Sequence, residues 1–241
     1  MVVALKALVG EIERRLRARG VRRPPDAFLL GSYRLVLLHA LQQGSLEYVA
    51  AIHWPTFYRL SPLLCPKGLE GLRATVALSL VEALQSGVTA EVLDTLDRSP
   101  VPRPPSVLFG RLTRTTAGHV IFRSQLLLLA DGECGTTPLE MAGLLERHTP
   151  TAIRAMLHGR LIKRRADLDG DQRQMLILHL TRHLGRFLPE AESLEHGLRL
   201  LRLAYYRRQY PAVARHVLRR LRIVDFGARR AATPGRVQPR R

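Results

Sequence analysis

Hydrophobic residues recur at helical spacing along most of the chain. At the start, apolar positions three and four residues apart predict an amphipathic helix that ends at Gly20; they are Leu5, Leu8, Val9, Ile12 and Leu16. A second helix is predicted from Leu29 to about Gly44. Ser45 is a favourable N-cap for a third helix, which Pro55 interrupts, and the chain is then expected to be irregular as far as Pro66.

The middle of the chain continues this pattern. Residues 68–85 are apolar around much of a helical surface, which predicts a helix at the centre of the core. Thr89 is predicted to cap a short helix that reaches about Leu96. Residues 107–113 and 116–130 follow, and the second of these segments fits either a strand or a helix. Residues 131–135 are expected to form a turn.

Two short helices are predicted next. The sequence Thr137-Pro-Leu-Glu140 is a strong helix start, because threonine caps free N–H groups, proline fits the first helical position and the acid faces the positive end of the helix dipole. This helix is expected to end near Arg147. After a turn at Thr149-Pro150, a second helix is expected to reach His158-Gly159.

The C-terminal part of the chain combines apolar and arginine-rich helical faces. The apolar positions of the two predicted helices are Leu194, Leu198, Leu201 and Tyr205, then Val213, Val217, Leu218, Leu221 and Val224. Each apolar face is expected to pack against the rest of the protein and to leave the arginines in solvent. Residues 227–241 contain no acidic residue and are predicted to form a disordered basic tail.

Together these patterns predict a mainly α fold, a multi-helix bundle with a basic C-terminal helical pair and a tail. Four prolines within residues 99–106 mark the clearest linker. The predicted organisation is an N-terminal helical region over 1–98, the linker over 99–106, a central region over 107–188, arginine-rich amphipathic helices over 189–226 and the tail over 227–241.

Composition narrows the class of protein. The chain has 241 residues, of which 46% are hydrophobic, and this is enough to bury a core. No run approaches the roughly 18 consecutive apolar residues of a membrane span, and the N-terminus resembles an amphipathic helix more than a secretory signal. Cys65 and Cys134 are too few for a disulfide framework and are expected to be reduced. We expect an intracellular protein, nuclear in a eukaryotic host or virus and cytoplasmic in a bacterium.

Arginine dominates the charge. Of 38 basic residues only Lys6, Lys67 and Lys163 are lysine, and asparagine is absent. A GC-rich coding sequence, or a reading frame that overlaps another gene, explains this bias as readily as selection for phosphate binding. In either case guanidinium groups stay charged and bind phosphate through a fork. Residues 197–241 carry 13 basic and 1 acidic group, against 12 and 9 in residues 1–98 and 13 and 10 in residues 99–196. The charge excess therefore lies at the C-terminal end.

Residues 125–181 resemble the winged helix-turn-helix regulators of the MarR type. The matching segments are Leu126-Leu-Leu-Leu-Ala130, Thr137-Pro-Leu-Glu-Met-Ala142-Gly-Leu-Leu145, Thr149-Pro-Thr-Ala-Ile153-Arg154, Gly159-Arg-Leu-Ile-Lys-Arg-Arg165-Ala-Asp167-Leu-Asp169, Arg173 and Leu178-His-Leu-Thr181. In that family the second helix enters the major groove and a basic hairpin wing touches the backbone. The resemblance implies a helix-turn-helix or winged-helix central region with contacts from Thr151, Arg154, Lys163, Arg164 and Arg165. The alternative is a helical hairpin in the core with a charged loop.

The arginine-rich C-terminal helices are the main predicted nucleic-acid surface. The candidate phosphate contacts are Arg199, Arg202, Arg207, Arg208, Arg215, Arg219, Arg220 and Arg222. Tyr205, Tyr206 and Tyr210 add aromatic rings, a combination that suits RNA or single-stranded nucleic acid. Three other uses of the same residues stay open: a solvated face, an anionic membrane surface and a nuclear import signal.

The sequence contains no recognised catalytic motif. It has no Gly-rich phosphate loop, no nucleophile elbow and no zinc-binding His-Glu-x-x-His helix. His179 and His183 lie one helical turn apart and would bind zinc with Cys134 or His158, but this spacing is unspecific, so no metal and no cofactor are predicted. Cys65 is expected to be a buried, inert thiol.

The expected function is therefore that of a non-enzymatic protein that binds nucleic acid through its arginine-rich C-terminal region and has no small-molecule substrate. The alternative is a structural or adaptor protein of the viral matrix, tegument or accessory type. In that case the leucine-rich faces would contact a protein partner or a second copy of the chain, and the arginines would meet acidic protein or an anionic membrane. An enzyme is the weakest interpretation.

Overall fold

The computed structural model of the protein describes residues 5–31, 52–65, 68–98 and 103–220. About 74% of these residues are helical and none of them forms a strand, which confirms the mainly α fold. The thirteen helices in the described ranges are α1 Leu5–Arg17, α2 Asp26–Gly31, α3 Trp54–Leu64, α4 Leu69–Ser79, α5 Val81–Gln85, α6 Val88–Asp97, α7 Val107–Thr113, α8 Arg123–Cys134, α9 Pro138–Arg147, α10 Pro150–Arg164, α11 Gly170–Thr181, α12 Glu190–Gln209 and α13 Pro211–Arg220.

Several predictions fall outside these ranges. They concern the second helix beyond Gly31, the N-cap at Ser45, the first four residues of the 99–106 linker and the tail over 227–241. Among the helices that are described, none has the length and apolar character needed to cross a membrane.

The chain divides into two compact units. Unit 1 combines Met1–Tyr58 with Leu194–Arg241, and unit 2 is Arg59–Ser193. These bounds differ from the predicted regions, because the N-terminal and C-terminal segments share one unit and the 99–106 linker falls inside the other. A linear reading of the sequence treats the two chain ends as separate regions, whereas the fold joins them.

Unit 1 is built around the packing of α1 against α13. α1 buries the five apolar positions that its periodicity predicts, and α13 buries Val213, Ala214, Val217 and Leu218. Burial of a leucine-sized side chain stabilises a fold by about 1.5–3 kcal/mol. The two apolar stripes therefore supply a large stabilising contribution, and the remaining faces of both helices are left to polar residues.

The core of unit 2 consists of two clusters of buried side chains. One cluster collects apolar residues of α7 to α11 together with Val120. The other collects residues of α3 to α6 together with Ile121, Phe122 and Leu188. The short extended segment that includes residues 120–122 therefore contributes to both clusters and lies between them.

Before α9, the helix boundaries depart from the sequence prediction at four places. Residues before Pro66 were expected to be irregular, but α3 is helical from Trp54 because Pro55 sits in the first turn, where its missing N–H has no helical partner to lose. The predicted helix over 68–85 breaks at Leu80, whose ψ is 144°. The break at Leu80 divides the expected single helix into α4 and α5.

The other two departures concern turns. Gly87, and not Thr89, precedes α6, and the Thr89 hydroxyl instead donates to the Leu78 carbonyl at 2.7 Å. The turn expected at residues 131–135 is part of α8, which continues to Cys134 and ends at Gly135 with a left-handed φ of 65°. Residues 116–130, which fitted either a strand or a helix, form a loop, an extended segment and most of α8.

Gly71 provides a test of the packing between α3 and α4. A Cβ atom at this position would lie 1.8 Å from the backbone oxygen of Leu64, so Gly71→Ala must displace one of the two backbones. We expect a loss of about 1–3 kcal/mol in the free energy of unfolding, measured by urea denaturation. Gly143→Ala, where a Cβ meets no atom within 4 Å, is the matched control and should stabilise by about 0.4–1 kcal/mol. Equal stability of the two variants would contradict the close approach.

Candidate functional site

The charged residues on the solvent face of α13 are all arginines. Arg215, His216, Arg219 and Arg220 are exposed, while the opposite face of the helix is buried. Among the described residues no acidic side chain pairs with Arg215, Arg219 or Arg220; the Arg215 Nε instead donates to the Pro211 carbonyl at 3.3 Å. The apolar face fixes the helix, so its arginines stand at defined positions on the surface.

A second group of exposed arginines lies at the end of α1 and in the loop after it. Arg17, Arg19 and Arg22 are exposed and make no ion pair with a described acidic residue. The other arginines of this stretch differ, because Arg14 and Arg15 pair with Glu11, and Arg23 pairs with Glu13 and Asp26. The sequence prediction missed this group, although six arginines within residues 14–23 are a visible signal.

The two units differ sharply in charge. Unit 1 contains 21 basic and 6 acidic residues, whereas unit 2 contains 17 and 14. In unit 2 eight arginines form ion pairs with described carboxylates; they are Arg59, Arg73, Arg98, Arg123, Arg160, Arg165, Arg182 and Arg186. The arginines of unit 1 have few acids to meet, so most of the excess positive charge belongs to this unit.

The arginines of α12 are placed differently from those of α13. Arg202 is buried, with 9% exposure, and its Nη2 donates to Asp26 Oδ1 at 2.6 Å. Arg199 is partly buried and pairs with Glu195. The expectation that the arginines of this helix face solvent therefore fails for Arg202, because α12 is covered on more than one side.

The remaining C-terminal candidates fall into three groups. Arg208 is exposed. Arg207 is half-buried and has an interaction within the fold. Arg222 lies outside the described residues.

The tyrosines near these arginines belong partly to the core. Tyr206 is 1% exposed, and its hydroxyl donates to Glu13 Oε1 at 3.1 Å. Burial and the nearby Glu13 charge raise the pKa of this phenol. Tyr205 and Tyr210 are partly exposed, with ring centroids 6.5 Å apart. Tyr206 is therefore not available for stacking with a base in this structure.

The predicted DNA contacts in the helical hairpin do not form one surface. Thr151 and Arg154 lie in the first turns of α10 and line a cavity of about 300 Å³ with Leu178 of α11. Arg154 is held by a 3.0 Å hydrogen bond from its Nε to Thr181 Oγ1. Lys163 and Arg164 are exposed at the opposite end of α10, roughly 14–20 Å from Thr151 and Arg154 along the helix axis at 1.5 Å per residue.

The basic wing that the MarR resemblance implies is not formed by residues 165–169. These five residues contain no strand, and Arg165 forms ion pairs with Glu133 and Asp167. Asp169 ends the loop as the N-cap of α11, accepting a 2.7 Å hydrogen bond from the Gln172 N–H. α10 itself extends to Arg164, beyond the predicted end at Gly159, so part of the expected wing is helical.

The candidate zinc ligands are also distributed differently. His183 lies beside His119 and Glu91, and this group contains neither Cys134 nor His158. Both cysteines are free and buried. Burial raises the pKa of the Cys65 thiol to about 11 and, with the Glu133 charge, that of Cys134 to about 12. These environments are those of inert thiols and not of nucleophiles.

No protein-family model matches the chain, and no curated protein matches it.

Arg202 allows the core and surface roles of arginine to be separated. Arg202→Gln removes the charged partner of Asp26, and we expect the free energy of unfolding to fall by about 1–3 kcal/mol. Arg208→Gln, at an exposed position, should change it by less than about 0.5 kcal/mol. Chemical denaturation of both variants measures the difference. Unchanged stability of Arg202→Gln, together with weaker nucleic-acid binding, would instead make Arg202 a surface contact.

The thiols offer a chemical test of the unit 2 core. At pH 8 the raised pKa values leave thiolate fractions of roughly 10⁻³ for Cys65 and 10⁻⁴ for Cys134. The native protein should therefore react with a disulfide reagent such as Ellman's only slowly, on the timescale of unfolding, whereas both thiols should react at once in denaturant. Rapid stoichiometric labelling of the native protein would show that the two sulfurs are accessible.

Proposed function

We propose that the protein binds the phosphate backbone of nucleic acid through the solvent-facing arginines of unit 1. These are Arg17, Arg19, Arg22, Arg208, Arg215, Arg219 and Arg220. The observation that carries the proposal is the solvent face of α13, on which every charged residue is an arginine and none of these arginines has an acidic partner among the described residues. Solvated protein faces normally mix charges of both signs, as unit 2 does.

Arginine on a fixed helix suits phosphate chemistry. The guanidinium group presents paired N–H donors that match phosphate oxygens, and it stays charged at any physiological pH. Arg215 and Arg219 are four residues apart on one helical face, so their charges reinforce each other along the surface. Contacts of this type position a protein on a nucleic acid without reading its bases, so binding should tolerate many sequences.

The packing of α13 favours nucleic acid over insertion into a membrane. A helix that lies in a bilayer interface must offer an apolar face to the lipid. In α13 that face consists of Val213, Ala214, Val217 and Leu218, and all four are already buried within the protein. The exposed face is polar and charged, which suits a hydrated polyanion.

The hairpin residues have a smaller part in the proposal. Lys163 and Arg164 are exposed and would add backbone contacts, whereas Thr151 and Arg154 line an apolar cavity. We therefore assign the main affinity to unit 1.

Substitution of arginines tests this proposal better than truncation. A chain that ends at His196 would lose most of α12 and all of α13, which packs against α1. The buried leucines of α1 would then become exposed, and a loss of nucleic-acid binding by the truncated chain could reflect unfolding. Substitutions on the solvent face leave this packing unchanged.

The triple variant Arg215→Gln, Arg219→Gln, Arg220→Gln should weaken binding to duplex DNA and to single-stranded RNA. Each lost phosphate contact lowers the slope of log K against log salt by about 0.9 for duplex DNA and about 0.7 for a single strand, so the slope should fall by about 2 to 3 in total. Fluorescence anisotropy across a salt series measures it.

The matched control removes the same charge from unit 2. Arg103, Arg111 and Arg147 are exposed there, and their substitution by Gln should leave affinity and slope nearly unchanged. Equal losses from both triple variants would mean that only net charge matters. No loss from the α13 variant would overturn the proposal, and stronger binding of the native chain to anionic vesicles than to nucleic acid would favour the membrane interpretation.

A further inference from the structure

Unit 2 contains a buried group of metal-ligating side chains that polyanion binding does not use. A carboxylate oxygen of Glu91 and one ring nitrogen each of His119 and His183 all lie within 4.8 Å of one another. His119 is 3% exposed, His183 is fully buried and Glu91 is partly exposed. The three side chains come from α6, from the loop before α8 and from the turn after α11.

The backbone around His119 is fixed by a buried glutamine. Gln125 Oε1 accepts hydrogen bonds from the N–H groups of Ile121 at 3.0 Å and Phe122 at 3.1 Å. Its Nε2 donates to the Leu112 carbonyl at 2.9 Å. One side chain therefore ties both ends of the loop together and fixes the backbone beside His119.

The backbone around His183 is also constrained. α11 ends at Thr181, and a tight turn follows in which the Arg186 N–H donates to the His183 carbonyl at 2.9 Å. Gly185 completes this turn with a φ of 80°, a backbone conformation that residues other than glycine rarely adopt. The turn directs a fully buried imidazole toward His119.

The two imidazoles are incompletely satisfied by protein groups. His119 Nδ1 and His183 Nε2 are 3.0 Å apart, and His119 Nε2 is 2.8 Å from Thr95 Oγ1. The Thr95 hydroxyl donates to the Glu91 carbonyl at 3.1 Å, so His119 Nε2 must be the donor to Thr95 and His119 Nδ1 carries a lone pair. Nδ1 of His183 is buried and has no hydrogen-bond partner among the described residues. Protein atoms therefore leave this ring nitrogen unsatisfied, and a buried water molecule is the partner that it needs.

We propose that Glu91, His119 and His183 form a binding site for a divalent transition-metal ion, with Zn²⁺ as the ion that the ligand set fits best. Two imidazoles and a carboxylate are a common protein ligand set for zinc, and they leave a fourth position for water. Imidazole nitrogen also disfavours Mg²⁺ and Ca²⁺, which prefer oxygen.

The spacing of the donor atoms agrees with one shared ion. Zinc–nitrogen bonds of about 2.0–2.1 Å at a tetrahedral angle place two ligand nitrogens roughly 3.3 Å apart. His119 Nδ1 and His183 Nε2 are 3.0 Å apart, so a small movement admits the ion between them. With the ion bound, the proton that the two rings share moves to His183 Nδ1. A Glu91 oxygen lies within 4.8 Å of both nitrogens, so to reach the ion the carboxylate would have to move closer and lengthen a hydrogen bond to Arg182 or Arg186.

Neighbouring groups would orient the ligands. The hydrogen bond from His119 Nε2 to Thr95 fixes the tautomer that presents Nδ1 to the ion. Arg182 Nε donates to Glu91 Oε2 at 2.7 Å, and Arg186 Nη1 donates to Oε1 at 3.2 Å. These bonds orient the carboxylate. The two positive charges also repel a cation, so the affinity of the site for a metal ion should depend on them.

The protonation states of the ligands support this geometry. Burial and the mutual proximity of the rings lower the pKa of His119 to about 4. Burial also lowers the pKa of His183 to about 4, although the Glu91 charge opposes the shift. Both rings are therefore neutral at pH 7, the form in which imidazole binds a metal.

A bound ion would link three segments of unit 2 that are distant in the sequence. Such a link favours the folded over the unfolded chain by mass action. We therefore expect micromolar additions of Zn²⁺ to raise the melting temperature of the full chain, and a chelator to reverse the effect.

The experiment uses the full chain, stripped of metal and titrated with Zn²⁺ by calorimetry and with Co²⁺ by visible absorption. One ion per chain should bind, and X-ray absorption should show nitrogen and oxygen but no sulfur neighbours. His183→Gln and Glu91→Gln should weaken binding at least about 100-fold, and Thr95→Val about 10- to 100-fold. His148→Gln, which removes an exposed imidazole elsewhere in unit 2, is the matched control.

Arg182→Gln distinguishes a metal site from a purely structural hydrogen-bond network. Arg186 still donates to Glu91 in this variant, so removal of the positive charge of Arg182 should tighten Zn²⁺ binding roughly several-fold, whereas a network without metal predicts only a loss of stability. No one-to-one binding by the native chain, a sulfur ligand, or unchanged affinity in a folded His183→Gln variant would overturn the proposal. Nucleic-acid binding is measured separately in chelator, so failure of either proposal leaves the other testable.

Discussion

The packing of α1 against α13 is the contact on which unit 1 depends. Each helix has a single apolar stripe, and the two stripes leave water by facing each other. This burial also determines where the charged residues of the two helices lie, because they are excluded from the apolar stripes and occupy the remaining faces. It joins the two ends of a 241-residue chain, so arginines near residue 20 and near residue 220 belong to one compact unit. Hydrophobic burial thus concentrates charge that the sequence distributes over two distant segments.

Arginine has two distinct roles in this protein, and the number of neighbouring carboxylates decides which role an arginine takes. In unit 2 carboxylates are almost as numerous as basic groups, and Arg73, for example, pairs with both Glu70 and Glu190. Exposed pairs such as Arg98–Asp94 contribute little stability individually, about 0–1 kcal/mol each, but they neutralise the surface. In unit 1 the acids are few and the outward arginines stay open to an external anion. The number of arginines alone therefore says little about function, whereas the presence or absence of neighbouring carboxylates says much more.

Local sequence signals predicted the elements that depend on local physics. The stripe of α1 and the start of α9 at Thr137-Pro138 were confirmed, because periodicity and capping are set within a few residues. The break at Leu80 and the burial of Arg202 were missed. Asp26, the partner of Arg202, lies 176 residues away, so no window along the chain contains both. The same limit hid the group around His119 and His183, which are 64 residues apart.

The polar interior of unit 2 follows a logic different from that of its charged surface. A buried imidazole loses hydration, and this loss is offset only when both ring nitrogens find partners. A buried glutamine, a glycine turn and two arginine–carboxylate bonds hold His119, His183 and Glu91 close together. Even so, Nδ1 of His183 has no hydrogen-bond partner among the described residues. Three apolar side chains would fill this space without leaving any buried polar atom in need of a hydrogen-bond partner. The convergence of two imidazoles and a carboxylate, more than this one unpaired nitrogen, is what favours a bound metal ion over packing alone.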